Sequence, residues 1–393
     1  MNEVKKQNEI QRSETAQSMK VIVFRQFLEH KMAVVGAIVI LLLLTAAIGA
    51  PVITAVTGLD PDRQNVSARY LLPFENAMAP ADIRETEIEH WIAEHPDQAS
   101  ALQKSIVEKE LVQGGEEDVL YELAALDPTE AKQLLAAVQT PEAFELKKVF
   151  DTWSTFHLFG TDEIGRDVFI RLIYGARVSM GVGILVALAS GLIGFLIGAV
   201  AGFYGGVIDT ALMRVTDALI SLPLIPVLIV FAAIDLQKIP WLYGLIGGAN
   251  ESIFKMVIIL CLFSWMTVAR LVRGSILSLR EREFVLAAKT LGARDRTIIV
   301  RHLFPNVIAP MLVSITLGVG ESILFEAALS FLGLGIMPPT PSWGNMLNNA
   351  QEVIYNNIWL AILPGVMILL TVVSFNFLGD GLQDAMDPKS IRR

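Results

Sequence analysis

Six strongly apolar stretches of this chain carry no Asp, Glu, Lys or Arg: residues 32–59, 178–208, 218–234, 256–269, 302–320 and 353–379. Hydrocarbon offers a bare backbone no water, so a segment that crosses a bilayer is a helix of ~20 mostly apolar residues. Five of the six runs reach or approach that length. The run 256–269 has only 14 residues. It reads as a short fourth span with Lys255 snorkelling outward and Arg270 inward, or else as a buried or interfacial helix. The first run is too long for the apolar part of a cleavable signal, so it is expected to stay as the first membrane helix.

Between the first two runs the pattern changes. Residues 60–157 hold 20 acidic and 8 basic side chains, a net of −12 in a chain whose total is −9. Asp127-Pro128-Thr129-Glu130 and Thr140-Pro141-Glu142 each place a capping residue before a proline at the first turn. Three to five short helices are expected between Ala81 and Asp151. The segment reads either as an insertion that packs on itself or as a docking or lid element for an external partner.

Composition agrees with a membrane class: 53% hydrophobic, 18% charged, mean hydropathy +0.53. Charge then orients the spans. Lys5, Lys6, Arg12, Lys20, Arg25 and Lys31 precede the first run, and eight Lys/Arg against three acids fall between Arg270 and Arg301. Both ends and this basic loop are therefore expected in the cytoplasm, with 60–157 outside. The expected layout is a cytoplasmic segment 1–31, a first span 32–59, an extracytoplasmic insertion 60–157, a five-span core 158–379 with a cytoplasmic loop 270–305, and a tail 380–393. Cys261 is the only cysteine, which excludes an intrachain disulfide. His90 and His95 stand five apart, off a common helical face. The chain has no GxxxxGK followed by Ser or Thr and no paired catalytic groups, so neither nucleotide binding nor catalysis is expected of it.

The basic loop has its own pattern. Ser278 followed by Glu281 suggests a capping box that starts a helix near Leu279. Phe284, Ala287, Ala288 and Leu291 recur at helical spacing, and Gly292 suits a left-handed residue after the last turn. A second short helix could run from Asp295 to Leu303, with Pro305 marking the return to the membrane. Such an elbow suits either a cleft on a soluble partner or an anionic lipid surface. Intramembrane carboxylates are functional candidates by default. Glu321 and Glu326 read as an acidic pore or gate for an ammonium group, or as interfacial carboxylates or partners of Arg166 or Arg171. Gly194, Gly198 and Gly202 form small-xxx-small spacings suited to close helix packing.

The loop resembles the EAA loop of binding-protein-dependent ABC importers. Leu286-Ala287-Ala288, Gly292 and His302-Leu303-Phe304-Pro305 fall at the family spacing, with Leu286 in place of the glutamate and His302 and Phe304 in place of the Ile and Leu. FGTDEIGRDVFIRLIYGARVSM (159–180), EAALSFLGLGIMPPTPSWGNML (326–347) and FNFLGDGLQDAMDP (375–388) resemble further blocks of the dipeptide/oligopeptide/nickel-type permeases, in the form of their second permease. The insertion 60–157 is longer than that family has at this place.

The resemblance implies an all-α polytopic fold, that of a type I ABC importer permease with six transmembrane helices. It implies a sister permease sharing the path through the bilayer, two ATP-binding cassette subunits holding the ATP and magnesium, and an extracytoplasmic solute-binding protein. This chain would hold no cofactor, and no nucleic acid is expected among its partners. It would sit in a bacterial or archaeal cell membrane. Phe284, Leu286, Ala287, Ala288, Gly292 and Pro305 would contact the ATPase. Peptides are the implied cargo, with nickel or another small solute as the alternative. A secondary transporter or a membrane-embedded enzyme would need mid-membrane ionisable groups, inverted repeats or paired catalytic residues.

Overall fold

A computed structural model of the chain describes residues 19–79, 81–109, 118–126, 128–235, 238, 244 and 250–386. Lys5, Lys6, Arg12, Asp127, Pro388 and the terminal arginines lie outside these residues. The chain divides into two units: Met1–Pro51, Leu172–Asn348 and Ile362–Arg393 form one, Val52–Arg171 and Asn349–Ala361 the other.

The first elements are α1 (Met19–Glu29) and α2 (Lys31–Thr57). Strand β1 (Glu75–Met78) then precedes five short helices: α3 (Ala81–Glu94), α4 (Pro96–Glu108), α5 (Val119–Ala125), α6 (Pro128–Val138) and α7 (Pro141–Thr152). Strand β2 (Ser154–His157) pairs antiparallel with β1, Glu75 facing His157 and Met78 facing Ser154. This small sheet was not legible in the sequence pattern. The five helices bury a core of their own, including Ile88, Trp91, Leu102, Leu120, Leu135, Leu146 and Phe150. Proline stands at the first turn of α4 and α7, and Thr140 Oγ1 accepts the Ala143 N–H at 3.3 Å as the sequence suggested.

The GTDEIGRD block spends its charges locally. Asp162 Oδ1 accepts the N–H groups of Ile164 and Arg166, and Oδ2 pairs with Arg166 Nε at 2.7 Å. Buried Arg171 donates to the Pro61 carbonyl at 3.0 Å and lies 3.6 Å from Asp162. Asp167 bonds the Ile170 N–H at 2.7 Å, capping the next helix, and His157 Nδ1 at 2.6 Å. Burial and the adjoining Asp162 push the Glu163 carboxyl above its ordinary range, against the pull of Arg166 and Arg171. Arg166 and Arg171 therefore pair with Asp162 and Glu163 and leave Glu321 and Glu326 to other partners.

Helix α8 (Val168–Tyr204) is 37 residues long, or about 55 Å at about 1.5 Å per residue. After it come α9 (Gly206–Ile220) and α10 (Leu224–Ala232), bent by 85°. The sequence pattern predicted one straight span over 218–234; Pro223 breaks it instead, because its ring blocks helical hydrogen bonding across residues 221–223. The short fourth run lies within a far longer helix, α11 (Glu251–Leu279) of 29 residues. It continues past its arginines because they are paired: Arg273 grips Asp209 of α9 at 2.5 and 2.7 Å, and Arg270 lies 3.9 Å from Asp217. After α12 (Glu283–Thr290), helix α13 runs over Asp295–Phe331 with one π-helical turn at Ile298–Leu303. Last come α14 (Trp343–Val353) and α15 (Trp359–Met386), the latter continuing seven residues beyond the predicted end of the core. Among the described residues, five helices are long and apolar enough to cross a membrane, or six crossings if the α9–α10 pair counts as one.

Helix α8 packs closely against α11 along a row of glycines. A Cβ on Gly194 would lie 2.7 Å from the Trp265 carbonyl oxygen and the Val268 side chain of α11. A Cβ on Gly198 would meet the Ala269 carbonyl oxygen, and one on Gly202 would lie 3.0 Å from Ile276. The small-residue seam thus joins two helices of this same chain. Gly198→Ala is expected to lower the thermal stability of the purified chain by about 1–3 kcal/mol through overpacking. Gly181→Ala, with nothing within 4 Å of the added carbon, is expected to be neutral or stabilising by up to ~1 kcal/mol. Thermal melts in detergent compare the two, and equal shifts would contradict the seam.

Candidate functional site

The elbow between α11 and α13 is built differently from its local signals. Ser278 remains inside α11, which ends at Leu279, and Arg282 takes the position before α12. The expected capping box of Ser278 and Glu281 does not form. Ile276 is fully buried in the core, and burying it holds the last turn helical, its carbonyl accepting the Arg280 N–H at 2.8 Å. The far end of α12 agrees with the sequence. Gly292 has φ +76°, the Gly292 N–H bonds Lys289 O at 2.9 Å and the Ala293 N–H bonds Ala288 O at 3.0 Å. This pair of bonds is a Schellman turn, which requires a left-handed residue. The next helix begins at Asp295, and Pro305 sits exposed just after the π turn, where its missing N–H is tolerated.

Two faces of α12 do opposite jobs. Val285 is 0% and Ala288 8% exposed, packed with Ile298, Leu303 and Val307 of α13, Val272 and Ile276 of α11, and Ala199 and Phe203 of α8. On the other face Phe284 is 41% and Leu291 87% exposed, with Leu286 and Ala287 also outward. Exposed Arg282, Arg294, Arg296 and Arg301 belong to the same loop. Lys289 lies over the Phe203 ring at 5.1 Å. The expected contact set is therefore corrected: Ala288 is an anchor inside this chain, because the buried stripe runs through Val285 and Ala288. Val285 was missed, although it stands three residues before Ala288 and faces the same way. Phe284, Ala287 and Leu291 form the outward apolar face.

The two membrane carboxylates separate. Glu321 is exposed on α13 and lines a cleft with Ser190 of α8, Ser264 and Thr267 of α11, and Ser314 and Ser322 of α13. Ser264 and Ser322 bond carbonyls four residues back, at 2.8 and 2.7 Å, so their hydroxyls are satisfied in an apolar setting. Glu326 is fully buried and cannot line a pore within this chain. Its partners are Ser179 and Ser330 at 2.9 and 2.8 Å.

Residues 194–392 match the family described as the binding-protein-dependent transport system inner membrane component. The chain belongs to that family. Residues 18–73 match a second description, the N-terminal transmembrane domain of oligopeptide transport permease C. The family region holds the elbow, both long helices that flank it, and Glu321. The helices α3–α7 lie outside both matched stretches. The dipeptide transport system permease protein DppC of Bacillus subtilis is 44% identical over 237 residues, 60% of this chain and 70% of its own. Its counterpart in Alkalihalophilus pseudofirmus is 40% identical over 236 residues, 60% and 73%. The oligopeptide transport system permease protein OppC of Bacillus subtilis is 37% identical over 233 residues, 59% and 72%. This permease is a multi-pass membrane subunit of a binding-protein-dependent importer.

The two faces of α12 separate stability from surface. Ala288→Arg places an unpaired charge in the shared core and is expected to cost roughly 3 kcal/mol in thermal stability. Leu291→Arg, on the open face, is expected to stay within about 0.5 kcal/mol of the parent. A melt in which both variants fall equally would contradict the division of faces.

Proposed function

We propose that this permease carries di- or oligopeptides across a cell membrane, driven by ATP that partner subunits bind and hydrolyse. The observation that carries the reading is the elbow: an outward apolar face at Phe284, Ala287 and Leu291, on a helix whose opposite face is built into the membrane core. A partner that grips this face moves α11 and α13 with it, because Val285 and Ala288 leave the hairpin no independent freedom. Two ATP-binding cassette subunits fit this role, one on this elbow and one on the elbow of a sister permease. Gly292 sets the angle of the elbow, and Leu286 and Pro305 border the contact. ATP and magnesium belong to those partners, and this chain holds no cofactor and has no catalytic step of its own.

The relatives transport dipeptides and oligopeptides by name, which supports peptide cargo here. Glu321 suits the ammonium end of a peptide, with Thr267 and Ser314 of its cleft offering hydroxyls to the backbone. The basic loop Arg270–Arg301 supports a cytoplasmic elbow and cytoplasmic ends. The helical insertion α3–α7 then lies outside, on the side from which a solute-binding protein delivers cargo. Coupling arises because the partners bind the two conformations of the permease with different affinity.

The test is a mild-detergent pull-down of the tagged permease expressed with its chromosomal neighbours, together with uptake of a labelled dipeptide. P-loop ATPases and a second permease are expected to co-purify. Phe284→Glu or Leu291→Glu is expected to weaken ATPase capture by about thirtyfold, the scale of a lost interface anchor. The permease purifying alone, or full ATPase capture by both variants, would overturn the reading. Uptake of nickel without dipeptide would overturn the cargo assignment alone.

A further inference from the structure

The elbow and the Glu321 cleft leave one buried acid without a role. Glu326 accepts a hydrogen bond on each oxygen, from Ser179 Oγ at 2.9 Å and Ser330 Oγ at 2.8 Å. Each serine oxygen also accepts a backbone N–H: Trp343 onto Ser179 at 3.2 Å, and Ile336 onto Ser330 at 3.0 Å. A hydroxyl can donate its single proton once. With its oxygen engaged by the N–H, each serine satisfies that proton on the carboxylate. The knot therefore needs an acceptor on both sides, which one carboxylate supplies. Trp343 adds a third tie, its indole N–H donating to the Leu172 carbonyl at 3.0 Å. Its ring lies so close to α8 that a Cβ on Gly175 would sit 3.0 Å away.

These bonds fasten segment 332–342 to α8 and α13 together. Helix α13 also carries Leu303 and Val307, which pack against the elbow. Glu326 lies 19 residues beyond Val307, about 28 Å along the helix at about 1.5 Å per residue. We propose that Glu326 is a positioning residue of the transport cycle. It locks segment 332–342 to the far end of α13, so that displacement of the elbow is delivered there as movement of this segment. The inference rests on the coupling role assigned to the elbow. A loop held only by its ends would absorb a tilt of α13, whereas one tied through a buried carboxylate follows it.

The test uses the whole importer in liposomes, with its ATPases and binding protein. Met337, an exposed residue of the segment, is replaced by cysteine in a Cys261→Ser background. On the proposed orientation this thiol faces outside. The rate of labelling by a membrane-impermeant maleimide is read without nucleotide and with ATP plus vanadate. The background chain is expected to label at different rates in the two states. Glu326→Gln keeps one acceptor but sets an amide donor against the other serine. It is expected to abolish that difference and to lower dipeptide uptake by about tenfold, with ATP hydrolysis held within about twofold. Ser179→Ala leaves the carboxylate in place and is expected to act in the same direction. It serves as the test if Glu326→Gln fails to assemble.

Nucleotide-dependent labelling that survives in both variants would overturn the proposal. So would uptake and hydrolysis falling in parallel, since that marks a merely structural role, or a background in which the two rates are equal. A background importer that takes up no dipeptide and recruits no ATPase would sink the coupling reading itself, and this inference with it.

Discussion

The elbow has no core of its own, and this constraint organises the membrane unit. Its two inward residues, Val285 and Ala288, are buried only because α8, α11 and α13 supply the other walls. Burying a large apolar side chain such as valine stabilises by ~1.5–3 kcal/mol, which an eight-residue helix could not obtain in isolation. The same cluster contains Ala199 and Phe203, beside the glycines that let α8 close onto α11. Packing of the spans and placement of the elbow are thus one interaction. A force applied to α12 has nowhere to go but into the long helices.

Most polar groups inside the apolar unit obey a second constraint, that they find a partner within the chain. The Arg273–Asp209 pair lets α11 run on for ten residues past the charge-free run. Serines and threonines return their protons to carbonyls one turn back. Glu326 meets the requirement through serines, one of them 147 positions earlier. Glu321 differs because its side chain opens on a cleft lined by serines and a threonine.

The second unit follows the rules of a water-facing domain. Three of its five short helices begin with proline, α7 also capped by Thr140, and the five close on a core that contains Trp91 and Phe150. Arg84 reaches across this core to the carbonyls of Ala124 and Leu126, which closes the free end of α5. The GTDEIGRD block forms a turn whose acids cap backbone N–H groups and neutralise Arg166 and Arg171. Its charges are structural, and that explains how two arginines remain buried there.

The length of the apolar runs located α2, α8, α13 and α15, because a bilayer demands a minimum apolar length whatever the helix packs against, and left the run 256–269 open. The left-handed turn at Gly292 was equally plain, since few residues but glycine take φ near +76° without strain. Other features depended on neighbours far away in the chain. The capping signal at Ser278 lost to the burial of Ile276 among residues of α8, α12 and α13, whereas the straight third span lost to Pro223, a signal already present inside the run. The inward turn of Ala288 required Ile298 and Leu303 on the returning helix, and the burial of Glu326 required Ser179. Local sequence determined which segments are helical, because that choice follows from backbone sterics and solvation. Only the tertiary structure decided which face of each helix is shared with the core and which is left free. That choice depends on the sum of contacts from segments whose spacing in the chain carries no such information.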